Sequence, residues 1–147
     1  MIIDRLSSLR VSQLMSKDVV TVDENLSMAE VARVLQENEV SAAPVVDDRG
    51  HCVGVITATD FVKRDVDLRL RQEDSVTAGE PRLLEAQGDQ PYRIVSSAED
   101  FAGAHMSPAV QAIALGASVL KAARMMCAQH IHRLFVFDEN NHPVGVI

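Results

Sequence analysis

The sequence predicts an α/β chain made of two tandem copies of one small unit, and three observations predict it. Residues 142 to 147, His-Pro-Val-Gly-Val-Ile, lie on residues 51 to 56 at an offset of 91 positions without a gap. The same offset lays Met106-Ser107 on Met15-Ser16, Ser118 on Ser27, Ala123-Arg124 on Ala32-Arg33 and Asp138 on Asp47. Within each copy a helical stripe at i, i+3, i+4, i+7 (Met28, Val31, Ala32 and Leu35, then Val119, Ala122, Ala123 and Met126) alternates with short β-branched runs. Strands alternating with helices in so short a unit indicate mixed sheets covered by helices.

Taken in order, residues 6–15 carry apolar residues at mixed spacing and read as a short helix. Val19 to Val22 is β-branched and ends at Asp23-Glu24-Asn25, a strand running into a turn. Ser27-Met-Ala-Glu30 is a capping box and opens the first long helix. Ala42 to Asp47 is extended, because Pro44 keeps Ala43 out of the helical region and donates nothing to a ladder. Asp47 to Gly50 turns, His51 to Ile56 returns as a strand, and a further helix starts near Thr59 and runs to about Arg71.

From Gln72 to Gln90 there is no stable period, and Gly79, Pro81 and Gly88 break the chain, so a long mobile connection is expected. A second capping box, Ser96-Ser-Ala-Glu99, is expected to open a short helix through Phe101 to Met106. The second copy then follows the first: a strand over Val110 to Ile113, a helix over Ser118 to Gln129, a strand over Leu134 to Phe137, and a last strand over Val144 to Ile147. The domain division is residues 8–71 for repeat one, 72–95 for the charged connection and 96–147 for repeat two.

A chain of 147 residues with 47% hydrophobic and 24% charged residues has the composition of one globular core shared by both copies. Aromatics are 3% and Trp is absent, so that core is Val, Leu, Ile, Ala and Met. The net charge of -7 argues against a general nucleic-acid binder, which needs a basic surface. Residues 65 to 100 hold nine acids and four bases, so most of the excess lies between the copies. Cys52 and Cys127 each lie in an apolar segment, have no partner pattern and read as two buried free thiols of a reducing interior. The start, Met-Ile-Ile-Asp-Arg, is charged where a signal peptide turns apolar, and Ala109 to Leu120 is too short to span a bilayer. No membrane association and a cytoplasmic location are therefore expected.

A tandem strand, helix, strand, strand, helix unit with Met-Ser before the first strand, Ala-Pro-Val-Val-Asp in the second and Gly-Val-Ile-Thr-x-x-Asp closing the third resembles the CBS (cystathionine-beta-synthase) domain pair, or Bateman module. The resemblance covers about residues 11–64 and 102–147. It implies two β-α-β-β-α repeats packed with pseudo-twofold symmetry, often dimerising into a larger disc. It also implies a regulatory role: an adenine nucleotide (AMP, ADP or ATP) or another adenosyl ligand bound between the repeats, with no obligatory cofactor, reporting to an effector protein in trans.

In this family Thr-x-x-Asp is the ligand signature, and here it is Thr57-Ala-Thr-Asp60. The chemistry agrees, since a carboxylate accepts both ribose hydroxyls while a hydroxyl and free N–H groups at a helix start suit a phosphate. Thr-x-x-Asp is equally a capping-box variant, and both roles can belong to one Thr. The resemblance places Val20, Ala43, Pro44, Val45 and Ile56 on the purine walls. It also brings His132 and Arg133, at a strand entry where this family has a phosphate-contacting His-Arg pair, toward the phosphate of a nucleotide held by Asp60. The other reading of that pair is a solvated strand edge.

Repeat two has Phe135 where repeat one has Pro44, and the sequence stops before any match to Thr57 and Asp60, so one site per chain is expected. Three readings compete: a nucleotide sensor, a ligand-free dimerisation module, and a zinc switch through Cys127, His130 and His132 with His142 nearby. No nucleophile with a base, paired carboxylates or Gly-rich phosphate loop is visible, so no catalysis is expected.

Overall fold

The structure, a computed structural model, describes residues 2–76 and 100–147. Most of the expected connection and the expected capping box at Ser96 to Glu99 lie outside the described residues. Repeat one comprises α1 (Ile2–Ser8), α2 (Val11–Leu14), β1 (Val22–Asp23), α3 (Met28–Glu37), β2 (Ala42–Val46), β3 (Cys52–Thr57) and α4 (Ala58–Val76). Repeat two comprises α5 (Ala102–His105), β4 (Ala112–Ala114), α6 (Val119–Gln129), β5 (Phe135–Phe137) and β6 (Pro143–Val146). Each repeat folds its strands into a three-stranded sheet, β1-β2-β3 and β4-β5-β6. The first pair in each is parallel and crossed by a helix, the second antiparallel across a tight turn.

The capping box at Ser27 forms as expected: Glu30 N–H donates to Ser27 Oγ at 3.3 Å and Ser27 N–H to Glu30 Oε2 at 3.0 Å. The Ser27 hydroxyl holds the Glu30 carboxyl below its ordinary value. α3 buries Met28, Val31 and Leu35. The expected stripe is corrected at one position in each repeat: Ala32 and Ala123 are exposed, and Val34 and Met125 pack on the cores instead. The larger apolar side chain on a neighbouring face covers more of the sheet than an Ala does.

Several element ends also differ. β1 is only Val22–Asp23, and six residues before it Ser16 forms a bridge to Val146 of repeat two. β4 likewise starts at Ala112, and five residues before it Ser107 is paired to Val55 of repeat one. The helix expected over residues 6–15 is two helices, and α1, unread in the sequence, packs on α6. α4 continues past Arg71 to Val76, through residues that include no Gly or Pro.

The repeats are joined by exchange. Val11, fully buried, belongs to the core of repeat two with Ile113, Leu134 and Val136. Ala102, its counterpart at the offset, is fully buried in the core of repeat one with Val22, Val31 and Ile56. The bridges repeat this reciprocity, Arg10 to Ser118 and Phe101 to Ser27. A contact in which residue i meets j and the counterpart of j meets that of i is the mark of a twofold relation. Among the described residues no helix is long and apolar enough to cross a membrane.

Candidate functional site

A cleft of about 790 Å³ opens between the repeats, and its walls come in counterpart pairs. Among its lining residues are Asp18 and Ala109, Val20 and Gln111, Val40 and Ile131, Ser41 and His132, Ala42 and Arg133, and Val55 and Val146, each pair related by the 91-residue offset. The edges of the two sheets build it. In repeat one, Ala42 pairs with Thr57 in the antiparallel ladder and Val55 with Pro44, so alternate residues of β2 and β3 present one face to the cleft. The cleft also includes Ser107, whose backbone N–H and C=O each bond to Val55 at 2.9 Å. The cleft therefore reaches the junction between the repeats.

The pairs differ in chemistry. Repeat one offers small and apolar side chains with Thr57, Ser41 and the carboxylate Asp18, while repeat two offers His130, His132 and Arg133. The position of these three follows from the end of α6. His130 is its C-cap in the left-handed region, φ 53°, and the chain reverses there so that the next residues enter the cleft. Glu39 has the same φ of 53° at the counterpart position. Arg133 is exposed and, among the described residues, has no carboxylate within ion-pair reach. Its planar fork is free for an anion.

Of the residues singled out in the sequence, Val20, Thr57, His132 and Arg133 meet in this cleft. Asp60 is not among the lining residues: it is 4% exposed, and its Oδ2 accepts from Thr57 N–H at 2.8 Å and from Thr57 Oγ1 at 3.0 Å. Its Oδ1 lies 4.0 Å from Lys63 Nζ. The cap of α4 is thus made, with the carboxylate adjacent to the cleft residue Thr57. Ala43, Val45 and Ile56 are fully buried on the core face of the sheet, and Pro44 is buried in the same strand. These four support the wall without lining it. Alternation explains Ala43, Val45 and Ile56, whose neighbours Ala42, Val55 and Thr57 hold the cleft face; Pro44 shares the face of Ala42 and pairs with Val55 but is buried without lining the cleft. Asp18, Val40, Ser41, Gln111, His130 and Ile131 are cleft residues that the sequence reading did not assign, and the 91-residue offset applied to Val20 would have found Gln111.

The expected burial of Cys127 is corrected: it is exposed on α6, away from that helix's core-facing residue Ala122, and among the described residues no group of three or more His, Cys, Asp or Glu side chains converges as a metal would need. Cys52 is half-buried, its thiol donates to Gly54 C=O at 3.2 Å, and burial pushes that thiol up from its ordinary value.

The model of the CBS domain matches residues 11–67 and 98–147, and with them most of the chain. The chain belongs to the CBS-domain family. An inosine-5'-monophosphate dehydrogenase of Thermoplasma acidophilum is 43% identical over 54 residues, which cover 37% of this chain and 11% of that enzyme. The CBS chain spans only a small part of the first curated relatives it matches, 11%, 25% and 23% of their lengths. Among solved structures, CBSX2 in complex with AMP superposes with a TM-score of 0.67 at 22% identity, covering 95% of this chain and 90% of that one. The CBS domain pair of protein MJ0100 with 5'-methylthioadenosine and S-adenosyl-L-methionine superposes with a TM-score of 0.62 at 22% identity, covering 95% and 88%.

Proposed function

We propose that this CBS pair is a regulatory module that binds an adenine nucleotide or related adenosyl ligand in the cleft between its repeats and performs no catalysis of its own. The observation that carries the reading is Arg133, a cation without a carboxylate partner among the described residues, lining the same cleft as Thr57, whose N–H and hydroxyl hold Asp60. Adenine packs against Val20, Ala42 and Val55, the ribose hydroxyls replace Thr57 as partners of Asp60, and phosphate meets Thr57, His132 and Arg133. The complexes of CBSX2 and MJ0100 with adenosyl ligands support the same ligand class. The asymmetry of the pairs, with Arg133 and Phe135 in repeat two against Ala42 and Pro44 in repeat one, supports one nucleotide per chain.

The test is thermal stability of the nucleotide-stripped protein and of Asp60→Asn with AMP, ADP, ATP, NAD and S-adenosylmethionine. A ligand at a hundred times its Kd adds about 2.7 kcal/mol to the wild type. Asn keeps a cap acceptor but not the carboxylate, so a stable variant without the ligand shift supports the reading, and equal shifts in both proteins refute it.

A specific observation also favours dimerisation. Val62, Val66 and Leu70 recur every four residues along α4 at 63%, 49% and 53% exposure, an apolar stripe that fits a second copy. A homodimer working in the cytoplasm on an effector in trans completes the reading, and sedimentation of the wild type against Val66→Glu tests its assembly. If no ligand binds, the alternative is a dimerisation module with an empty cleft.

A further inference from the structure

The lining of the cleft between the repeats carries one carboxylate and one guanidinium, Asp18 from repeat one and Arg133 from repeat two. The 91-residue offset lays each of them on an alanine of the other repeat, Asp18 on Ala109 and Arg133 on Ala42, so the two charges enter the cleft from opposite repeats. Both residues are exposed. The backbone N–H of Asp18 donates to Ser16 Oγ at 3.4 Å, but among the described residues its carboxylate has no ion-pair partner, and Arg133 has none either. The fold therefore uses neither charge to hold itself together.

The other groups of the lining do not disturb this balance. No Lys is among them, and Lys17, next to Asp18 in sequence, stands outside the lining. The imidazoles of His130 and His132 hydrogen-bond to a ligand group of either kind, as donor or acceptor. Asp60, held by Thr57, has Lys63 Nζ at 4.0 Å as its own counter-charge. A triphosphate tail brings several negative charges to a cleft that answers with a single guanidinium. Its first phosphate meets Arg133, and every further one is driven toward solvent by the Asp18 carboxylate. A tail with a cation beside its anion satisfies both groups at once.

We propose that Asp18 is a specificity-determining residue of the cleft: its carboxylate opposes each phosphate added to a nucleotide and pairs with a cation, so the cleft favours an adenosyl ligand whose tail carries an ammonium as well as a carboxylate. This rests on the adenosyl reading of the same cleft. Rejection of the wrong ligand comes from the like charge, and preference for the right one from the opposite charge. The adenosine part of the ligand is read elsewhere and is indifferent to Asp18.

The experiment is calorimetric titration of the nucleotide-stripped full chain and of Asp18→Asn with adenosine, AMP, ATP and S-adenosylmethionine, at one ionic strength and with divalent cations chelated. The wild type is expected to bind S-adenosylmethionine more tightly than ATP. Asp18→Asn is expected to weaken S-adenosylmethionine by about fivefold, to tighten ATP by about fivefold and AMP by less, and to leave adenosine unchanged. Opposite signs for ATP and S-adenosylmethionine are the signature of a charge, since a change in cleft shape moves adenosine with the rest. Shifts of the same sign, no shift, or a wild type that prefers ATP overturn the proposal. If adenosine and AMP bind while Asp18→Asn changes nothing, the proposal alone falls; if no adenosyl ligand binds the wild type, it falls together with the reading it rests on.

Discussion

Val55 and Ser107 exchange both backbone hydrogen bonds at 2.9 Å, and their counterparts Val146 and Ser16 do the same at 2.9 and 2.8 Å. These two bridges let each repeat take the other's leading segment, and they need Gly next to them. A Cβ at Gly54 would stand 2.8 Å from Ser107 O and 2.6 Å from Met106 Sδ; at Gly145 it would stand 2.6 Å from Ser16 O and 2.8 Å from Met15 Sδ. Backbone cannot retreat from such contacts without opening the bridge. Gly54→Ala and Gly145→Ala are each expected to lose about 1–3 kcal/mol of stability by urea unfolding. Gly116→Ala, with nothing within 4 Å of its Cβ, is expected to stay within about 0.5 kcal/mol of wild type.

Arg64 of α4 makes a two-pronged ion pair with Asp100, its Nε donating to Oδ1 at 2.6 Å and Nη2 to Oδ2, and His105 Nε2 lies 3.1 Å from the same Oδ1. Both charges are nearly buried, Arg64 at 8% and Asp100 at 6%, and the bond to Asp100 raises Arg64 above its ordinary value. Asp100→Ala strands a guanidinium out of water and is expected to cost about 3–5 kcal/mol. Arg64→Met with Asp100→Leu removes both charges and is expected to cost much less than Asp100→Ala alone. Urea unfolding of the four proteins, read as a double-mutant cycle, measures the coupling.

Acid sensitivity follows from the turn carboxylates. Asp138 is held low by the His142 N–H, and Asp47 by the N–H groups of His51 and Arg49 against desolvation. A carboxyl lower in the folded than in the unfolded chain contributes stability that is complete above its unfolded value and fades as pH falls below it. The ordinary value is 3.8 for both, so melting temperature is expected to fall as pH drops below about 4. Asp47→Asn with Asp138→Asn keeps oxygen acceptors for the N–H groups but cannot titrate. That variant is expected to show a shallower fall of melting temperature over the same range.

Much of this was legible in the sequence because each signal was local and repeated. Ser27-x-x-Glu30 fixes the start of α3 by its own hydrogen bonds, and the 91-residue offset carries every sheet from one repeat to the other. The exchange of α2 and α5 was not legible, since Val11 and Ala102 are apolar in either arrangement and only the third dimension assigns them to a core. The Arg64–Asp100 pair spans 36 positions and leaves no periodic trace. The site was half legible: Thr57, His132 and Arg133 reach the cleft, while Ala43, Val45 and Ile56 fall on the core face because a strand reverses its face at every residue.

Arg133 gives the sharpest test of how the cleft reads its ligand. Its guanidinium lines the cleft without a carboxylate partner among the described residues, so its charge is available to a phosphate and irrelevant to a neutral nucleoside. A charge-assisted bond of this kind contributes about 1.5–3 kcal/mol, equivalent to roughly tenfold to a hundredfold in Kd. Arg133→Met keeps the length and apolar stem of the side chain. Calorimetric titration is expected to show AMP binding weakened by that factor and adenosine binding unchanged. Arg133→Lys is expected to recover only part of the loss, because an ammonium supplies the charge without the two parallel donors. Equal weakening of AMP and adenosine would mean that Arg133 shapes the cleft and does not read the phosphate.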